Sequence, residues 1–372
     1  MSTQTVTRTP AGVRVGLRPP AEAYAFIGAD HPLQPIAVLD VTLQEGEALA
    51  AIELATVCEC DLRTTSSSRA ATVPQILGHE QVGRIVALGP GDPALTADGR
   101  VLALGDRVVW AREVACGRCD ECRTRSAGAV EQTAACRRPH RYGRERATRG
   151  WELSGGIATH VHLLAGTVVF RARDWVPAAV LAPAACAGAA ATAALDSAAR
   201  QQPLEGARVV ISDAGMRGVT AAAMAAARGA VVTVLDADPV RRQRALRFGA
   251  SAVFAPDVSP KGHDVALDFV GTTEAVDAVA ARTRHGGLIV VAGDDAAPQR
   301  RLVQTASVIS RELRVHVVEK VEPVHVGQAL AFLERADAAV FAEAVGETVP
   351  LREAPRAFTA APHLRLRTAI RP

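Results

Sequence analysis

Arg208-Val209-Val210-Ile211-Ser212-Asp213-Ala214-Gly215-Met216-Arg217-Gly218 is the stretch on which the architecture turns. Its first five residues, rich in β-branched side chains, read as a buried strand, and the turn after them opens an alanine-rich helix to Arg228. The strand Ala230-Val231-Val232-Thr233-Val234-Leu235 and a charged helix, Pro239 to Phe248, come next. Strand and helix alternate, which predicts a parallel α/β sheet. The rhythm continues through Asp264-Val265-Ala266-Leu267-Asp268 and Gly287-Leu288-Ile289-Val290-Val291-Ala292-Gly293. A turn in this position is where G-x-G-x-x-G binds a dinucleotide.

Here Asp213 stands at the first glycine, while Gly215 and Gly218 keep the close-approach and tight-packing roles. The helix start at Met216 and Arg217 offers free N–H groups and the positive end of a dipole. Asp tolerates unusual backbone angles, but its charge faces an anionic ligand, so weakened cofactor binding is expected. Eighteen residues past Gly218, Asp236 closes the second strand, where a carboxylate can accept hydrogen bonds from ribose hydroxyls. That favours NAD over NADP. Arg241 and Arg242 are the counter-signal, because they could meet the extra phosphate.

Working outward, the first 175 residues or so carry short β-branched runs between Gly, Pro and Asp turns, such as Gln81 to Leu88 and Asp106 to Trp110. They predict a mostly antiparallel, barrel-like domain. After about residue 318 a helix, Val324 to Arg335, and a strand, Arg367 to Ile370, do not obviously extend the parallel sheet. At 372 residues the chain exceeds one ordinary core, and about two domains are expected. A net charge of +3 from 42 basic and 39 acidic side chains, with no dense basic face, argues against a nucleic-acid partner. The uncharged run Ala178 to Leu195 has membrane-spanning length but is mostly alanine, broken by Pro183, Gly188 and Thr192, so no membrane span is expected. Met1 to Pro20 lacks an apolar h-region, and seven cysteines, an odd number, argue against a disulfide framework. Reduced thiols in the cytoplasm are the expectation.

Those cysteines carry the chemistry. Cys116, Cys119, Cys122 and Cys136 read C-x2-C-x2-C-x13-C, enough thiolates in one loop to close a tetrahedral structural zinc site. Cys58, His79 and Cys186 come from three distant segments and leave a fourth position open, the layout of a catalytic zinc. Six arginines between Arg137 and Arg149, with His140 among them, read either as an oxyanion clamp or as a solvated basic face. His160 and His162 alternate on a strand and read as ordinary strand histidines.

Taken with Gly78-His79-Glu80-Gln81-Val82-Gly83 and Gly105-Asp106-Arg107-Val108, these motifs make the chain resemble the zinc-dependent medium-chain alcohol dehydrogenases over nearly its whole length. Within that family it is most similar to the subgroup associated with phosphonate metabolism, through Arg149 to Gly156, Ala182 to Cys186 and Gly215 to Ala223. The resemblance implies a GroES-like catalytic domain over 1–187 and 319–372 and a Rossmann dinucleotide-binding domain over 188–318. It implies zinc ligation by Cys58, His79 and Cys186, with Asp61 orienting the ligands and Glu80 as a nearby acid that can approach the metal.

Where the family carries a Ser or Thr proton relay this chain has Cys60, and where a histidine often follows it has Arg63. A thiol is a poor hydrogen-bond partner and an arginine keeps its proton. A water chain could replace the relay, or Cys60 could itself bind metal. Between Cys122 and Cys136 the loop is longer than usual in the family, at little entropic cost. The expected activity is hydride transfer between NAD(H) and a small alcohol or aldehyde, such as phosphonoacetaldehyde or its alcohol, by a homo-oligomer, a dimer or tetramer. A polyol or amino-alcohol dehydrogenase of the same fold, or a non-catalytic zinc-binding descendant, is the alternative.

Overall fold

In a computed structural model of the chain, the structure describes residues 3–9, 12–66, 72–92, 94–124, 136–292, 309–318, 320–359 and 365–372. It divides into two compact units, one of Met1–Cys186, Glu322–Ala360 and Arg367–Pro372, the other of Ala187–Val321 and Ala361–Leu366.

The first unit is built on two sheets. In one, Thr3–Thr9, Gly12–Phe26 and Gln34–Leu43 run antiparallel in that order, and Gln75–Ile76 also pairs with Gly12–Phe26. The other runs in the order Val169–Arg171, Arg107–Trp110, Gln81–Leu88, Ala48–Val57, Arg367–Arg371, Val345–Pro350, with His160–Leu163 also on Ala48–Val57. Ala48–Val57 is buried along nearly all its length because it carries partners on both edges and core on both faces. Val15, Leu17, Leu43, Leu49 and Ile76 form one apolar cluster, and Leu77, Ile85, Trp110 and Ile157 belong to another. Each such fully buried aliphatic side chain stabilises the fold by about 1.5–3 kcal/mol. The last strand pairs antiparallel with Ala48–Val57, Ile370 facing Ala55, which is why the chain's end does not join the parallel sheet.

The second unit carries a six-stranded sheet, parallel throughout, in the order Ala252–Phe254, Val231–Leu235, Arg208–Ser212, His263–Asp268, Thr283–Val291, Arg314–Val317. The chain fills one side of Arg208–Ser212 and then crosses to the other, so the order reverses at that strand. In open α/β sheets such a switch point forms the ligand crevice, at the carboxyl ends of the strands. The charged helix runs over Pro239–Arg247, capped by the Asp238 carboxylate, which accepts from the Val240 and Arg241 amides. The strand read to Gly293 ends at Val291, and Gly293 itself lies outside the described residues, as does 319. The alanine excess has a packing role: Ala187–Ala199 lies against Met216–Ala227, close enough for Thr192 Oγ1 to sit 3.6 Å from Met224 Sδ. Among the described residues no single helix is long and apolar enough to cross a membrane.

Candidate active site

Four donors converge in the first unit. The sulfurs of Cys58, Cys60 and Cys186 and a ring nitrogen of His79 all lie within 4.8 Å of one another, and each side chain is at most 2 % exposed. Cys58 caps the helix Glu59–Thr65, its sulfur accepting the Cys60 amide at 3.2 Å, while Asp61 Oδ2 accepts the Cys58 amide at 3.0 Å. The helix start therefore aims one N–H at the Cys58 sulfur. His79 is delivered by Gly78, whose φ of +95° favours glycine and whose missing Cβ would lie 2.9 Å from the Ile157 nitrogen. Cys186 follows the 3-10 turn Ala182–Ala185.

These residues fit a zinc ion. Zinc–sulfur bonds of about 2.3 Å in a tetrahedron place sulfurs about 3.8 Å apart, and Cys58 Sγ and Cys186 Sγ are 4.0 Å apart. Both ring nitrogens of His79 are buried without a hydrogen bond. Asp61 Oδ1 lies 3.4 Å from His79 Nδ1, near enough to attract charge but not aligned for a hydrogen bond. Burial opposes a charged imidazole, yet Asp61 and Cys186 outweigh it and push His79 well above its ordinary value. Hydrogen bonds from Cys58 and Cys60, with His79 nearby, hold Cys186 well below the usual thiol range, whereas burial pushes Cys58 up.

Two further contacts surround the donor set. Glu80 is fully buried, and its carboxylate accepts from Thr56 Oγ1 at 2.7 Å and from Arg367 Nε and Nη2 at 2.7 and 2.9 Å. It is held by an arginine from the terminal strand. Cys60 and Arg63, which stand where the family carries its proton relay, touch each other, with Arg63 Nη2 3.8 Å from Cys60 Sγ. Arg112, which no sequence motif marked, places Nη1 3.8 Å from Cys186 Sγ. Arg367 and Thr56 were equally silent in the sequence.

The second set, Cys116, Cys119, Cys122 and Cys136, also lies within 4.8 Å, with Cys119 Sγ 3.4 Å from Cys122 Sγ and 4.0 Å from Cys136 Sγ. Cys116 and Cys119 are half-buried and every cysteine of the chain is free of disulfides. Backbone amides, that of Arg118 first, lower the Cys116 thiol to about 6, while burial raises Cys122 to about 12. Four sulfurs at these spacings suit a closed tetrahedral zinc. The long segment between Cys122 and Cys136 includes 125–135, which lie outside the described residues.

In the second unit Asp213 takes φ +71°, the left-handed backbone that a first glycine serves. Its carboxylate lies 3.5 Å from Arg241 Nη1, so its charge is partly answered. Gly218 is required by packing, because a Cβ there would fall 1.8 Å from the Asp213 carbonyl oxygen. Gly215 caps the helix that begins Met216-Arg217. Asp236 accepts the Ala214 amide at 2.8 Å on one oxygen and the Asp238 amide at 2.7 Å on the other. Arg242 Nη1 donates to the carbonyls of Asp236 and Ala237.

Part of the basic segment is answered by acids. Arg137 pairs with Glu121, Arg141 Nε with Glu113 at 2.9 Å, and His140 Nδ1 with Glu145 at 3.0 Å. His162 Nε2 meets Glu47 at 2.8 Å and His160 Nδ1 meets Thr159 Oγ1 at 2.9 Å, so the strand histidines serve the fold.

Comparison with known proteins agrees with this geometry. Residues 44–174 match the alcohol dehydrogenase GroES-like domain family and 218–334 the zinc-binding dehydrogenase family. An L-threonine 3-dehydrogenase of Aeromonas hydrophila subsp. hydrophila is 29 % identical over 68 % of this chain and 70 % of its own. An L-galactonate-5-dehydrogenase of Escherichia coli is 26 % identical over 67 % of this chain and 69 % of its own. The crystal structure of an alcohol dehydrogenase from Thermotoga maritima superposes with a TM-score of 0.80 at 24 % identity, over 95 % of this chain and 99 % of that one. With both halves matched, a GroES-like domain and a Rossmann-like zinc-binding dehydrogenase domain, the chain belongs to the zinc-dependent medium-chain alcohol dehydrogenases and is an oxidoreductase acting on alcohols.

Proposed function

We propose that this chain is an NAD-linked dehydrogenase of a small polar alcohol, with Cys58, His79 and Cys186 as ligands of its catalytic zinc and Cys116, Cys119, Cys122 and Cys136 as those of a structural one. The observation that carries it is the buried four-donor set with neither His79 nitrogen in a hydrogen bond. When bound, zinc supplies Lewis-acid polarisation of an alcohol or carbonyl oxygen and the nicotinamide supplies or accepts hydride. Asp61 positions the set by accepting the Cys58 amide and facing His79. Met216 and Arg217 open the helix whose amides would face the pyrophosphate, with Gly215 and Gly218 allowing close approach. NAD is preferred because Asp236 has two of its roughly four lone-pair sites used by backbone amides, leaving two for ribose hydroxyls. Arg241 and Arg242, the residues that could favour NADP, lie against Asp213 and the Asp236 and Ala237 carbonyls.

In this reading the first unit is the catalytic domain and the second the dinucleotide domain, and a chain of seven free cysteines works in the reducing cytoplasm. The threonine and galactonate dehydrogenases among its relatives point to an amino-alcohol or polyhydroxy acid as substrate. A second reading, a phosphonate, is favoured by Arg63, whose guanidinium reaches the donor set. A nicotinamide-linked assay over L-threonine, L-galactonate and phosphonoacetaldehyde, with each cofactor and beside Cys186→Ala, tests the proposal. Turnover with NAD(H) that disappears in Cys186→Ala is expected; no turnover on a broad alcohol and aldehyde panel, or turnover untouched by the substitution, contradicts it.

A further inference from the structure

We infer that Cys60 is a fourth protein donor of the buried set, so that the resting protein holds a closed centre of three sulfurs and one nitrogen, balanced by Arg63 and Arg112. The inference rests on the proposed zinc ligation by Cys58, His79 and Cys186 and goes beyond it, since that reading leaves the fourth position open. Cys60 Sγ stands within the same 4.8 Å as the other three donors and is 2 % exposed. A thiol serving as a proton relay would need a route to water. A buried sulfur among three metal donors is placed as a fourth ligand, completing the tetrahedron that zinc prefers in closed sites.

Charge supports the same assignment. Two thiolates and a neutral imidazole leave a zinc site neutral, whereas a third thiolate leaves one net negative charge in a dry pocket, where an uncompensated charge is costly. The pocket supplies the compensation: Arg63 Nη2 lies 3.8 Å from Cys60 Sγ and Arg112 Nη1 lies 3.8 Å from Cys186 Sγ. The nearby carboxylate of Glu80 does not compete as fourth donor, because Arg367 holds both its oxygens and Thr56 donates to one. Cys60 is also the donor best placed to withdraw. It sits in the first turn of Glu59–Thr65 with Arg63 one turn further on, so its sulfur keeps a charged partner whether or not it is bound.

X-ray absorption at the zinc edge of zinc-replete protein decides the point, run on the natural chain and on Cys60→Ser with nicotinamide-linked turnover measured beside each. Seven sulfurs shared by two zinc ions are expected in the natural chain, and six in Cys60→Ser. Six in the natural chain overturns the inference, and this count stands alone if the variant does not fold. Six sulfurs together with turnover would sink the closed centre and spare the dehydrogenase reading. Seven sulfurs without turnover of any alcohol would do the reverse.

Discussion

The two four-donor sets span the same 4.8 Å and are made in opposite ways. Cys116, Cys119, Cys122 and Cys136 come from one short stretch of chain, two of them half-buried, with the helix Asp120–Thr124 among its described residues. Cys58, Cys60, His79 and Cys186 come from a helix cap, a glycine turn and a 3-10 turn, all buried, on backbone whose hydrogen bonds at Cys58, Cys60, Gly78 and Cys186 exist without a metal. On the proposed roles, we expect the local set to depend on its ion for shape and the scattered set to inherit its shape from the fold. A structural ion and a catalytic ion thus differ in what their loss removes: the first costs order, the second chemistry.

The comparison can be broken most sharply at Cys186 and Cys119. Loss of Lewis-acid stabilisation worth several kcal/mol corresponds to about 10³-fold in rate, so Cys186→Ala should lose at least that much kcat/KM while its circular dichroism stays near that of the natural chain. Cys119→Ala should instead become sensitive to limited proteolysis between Cys116 and Cys136, with turnover per folded molecule largely retained. Equal behaviour of the two variants would erase the distinction.

Next in size is the buried pair behind the catalytic set. Arg367→Met leaves Glu80 in the core with the Thr56 hydroxyl but without its arginine, and breaking such a buried pair costs about 3–5 kcal/mol, readable as a lowered urea midpoint. A change under about 1 kcal/mol would mean that the pair is not dry.

His160 offers a pH test away from either metal set. Burial holds its pKa down to about 4 from 6.5. The unfolded chain therefore takes up a proton first, and the contribution is whole above pH 6.5 and lost as pH falls toward 4. With each unit worth about 1.4 kcal/mol, the loss is at most about 3.5 kcal/mol. His160→Gln should flatten the stability profile between those values, and an unchanged slope would assign the acid sensitivity elsewhere.

The smallest effect expected is on positioning. Asp61→Asn should weaken zinc affinity by about 10–100-fold with the ligands intact, measured by competition with a chelator. No change would remove Asp61 from the support of His79.

How much of this could be read from residues alone follows the same division. The strand Arg208–Ser212, the helix after it and the acid at 236 are local patterns, and they were legible because periodicity and a turn at fixed spacing carry them. The donors Cys58, His79 and Cys186 were legible by residue type. Their supports were not. Glu80 meets Arg367 across 287 positions and Cys186 meets Arg112 across 74, separations that leave no periodic trace. Asp213 illustrates a partial reading: the strained backbone follows from its place in the turn, but its pairing with Arg241 depends on how the next helix lies. Cys60 is similar, since the direction of a sulfur two residues past a ligand is set by the helix cap.

Zinc content per chain, measured in the same preparations as turnover, tests most directly the claim that two separate ions are held by two separately built sets. The account predicts two zinc ions in the natural chain, one in Cys186→Ala with turnover lost, and one in Cys119→Ala with turnover kept. A natural chain that binds a single zinc, or a Cys186→Ala variant that keeps both ions and its activity, would contradict it.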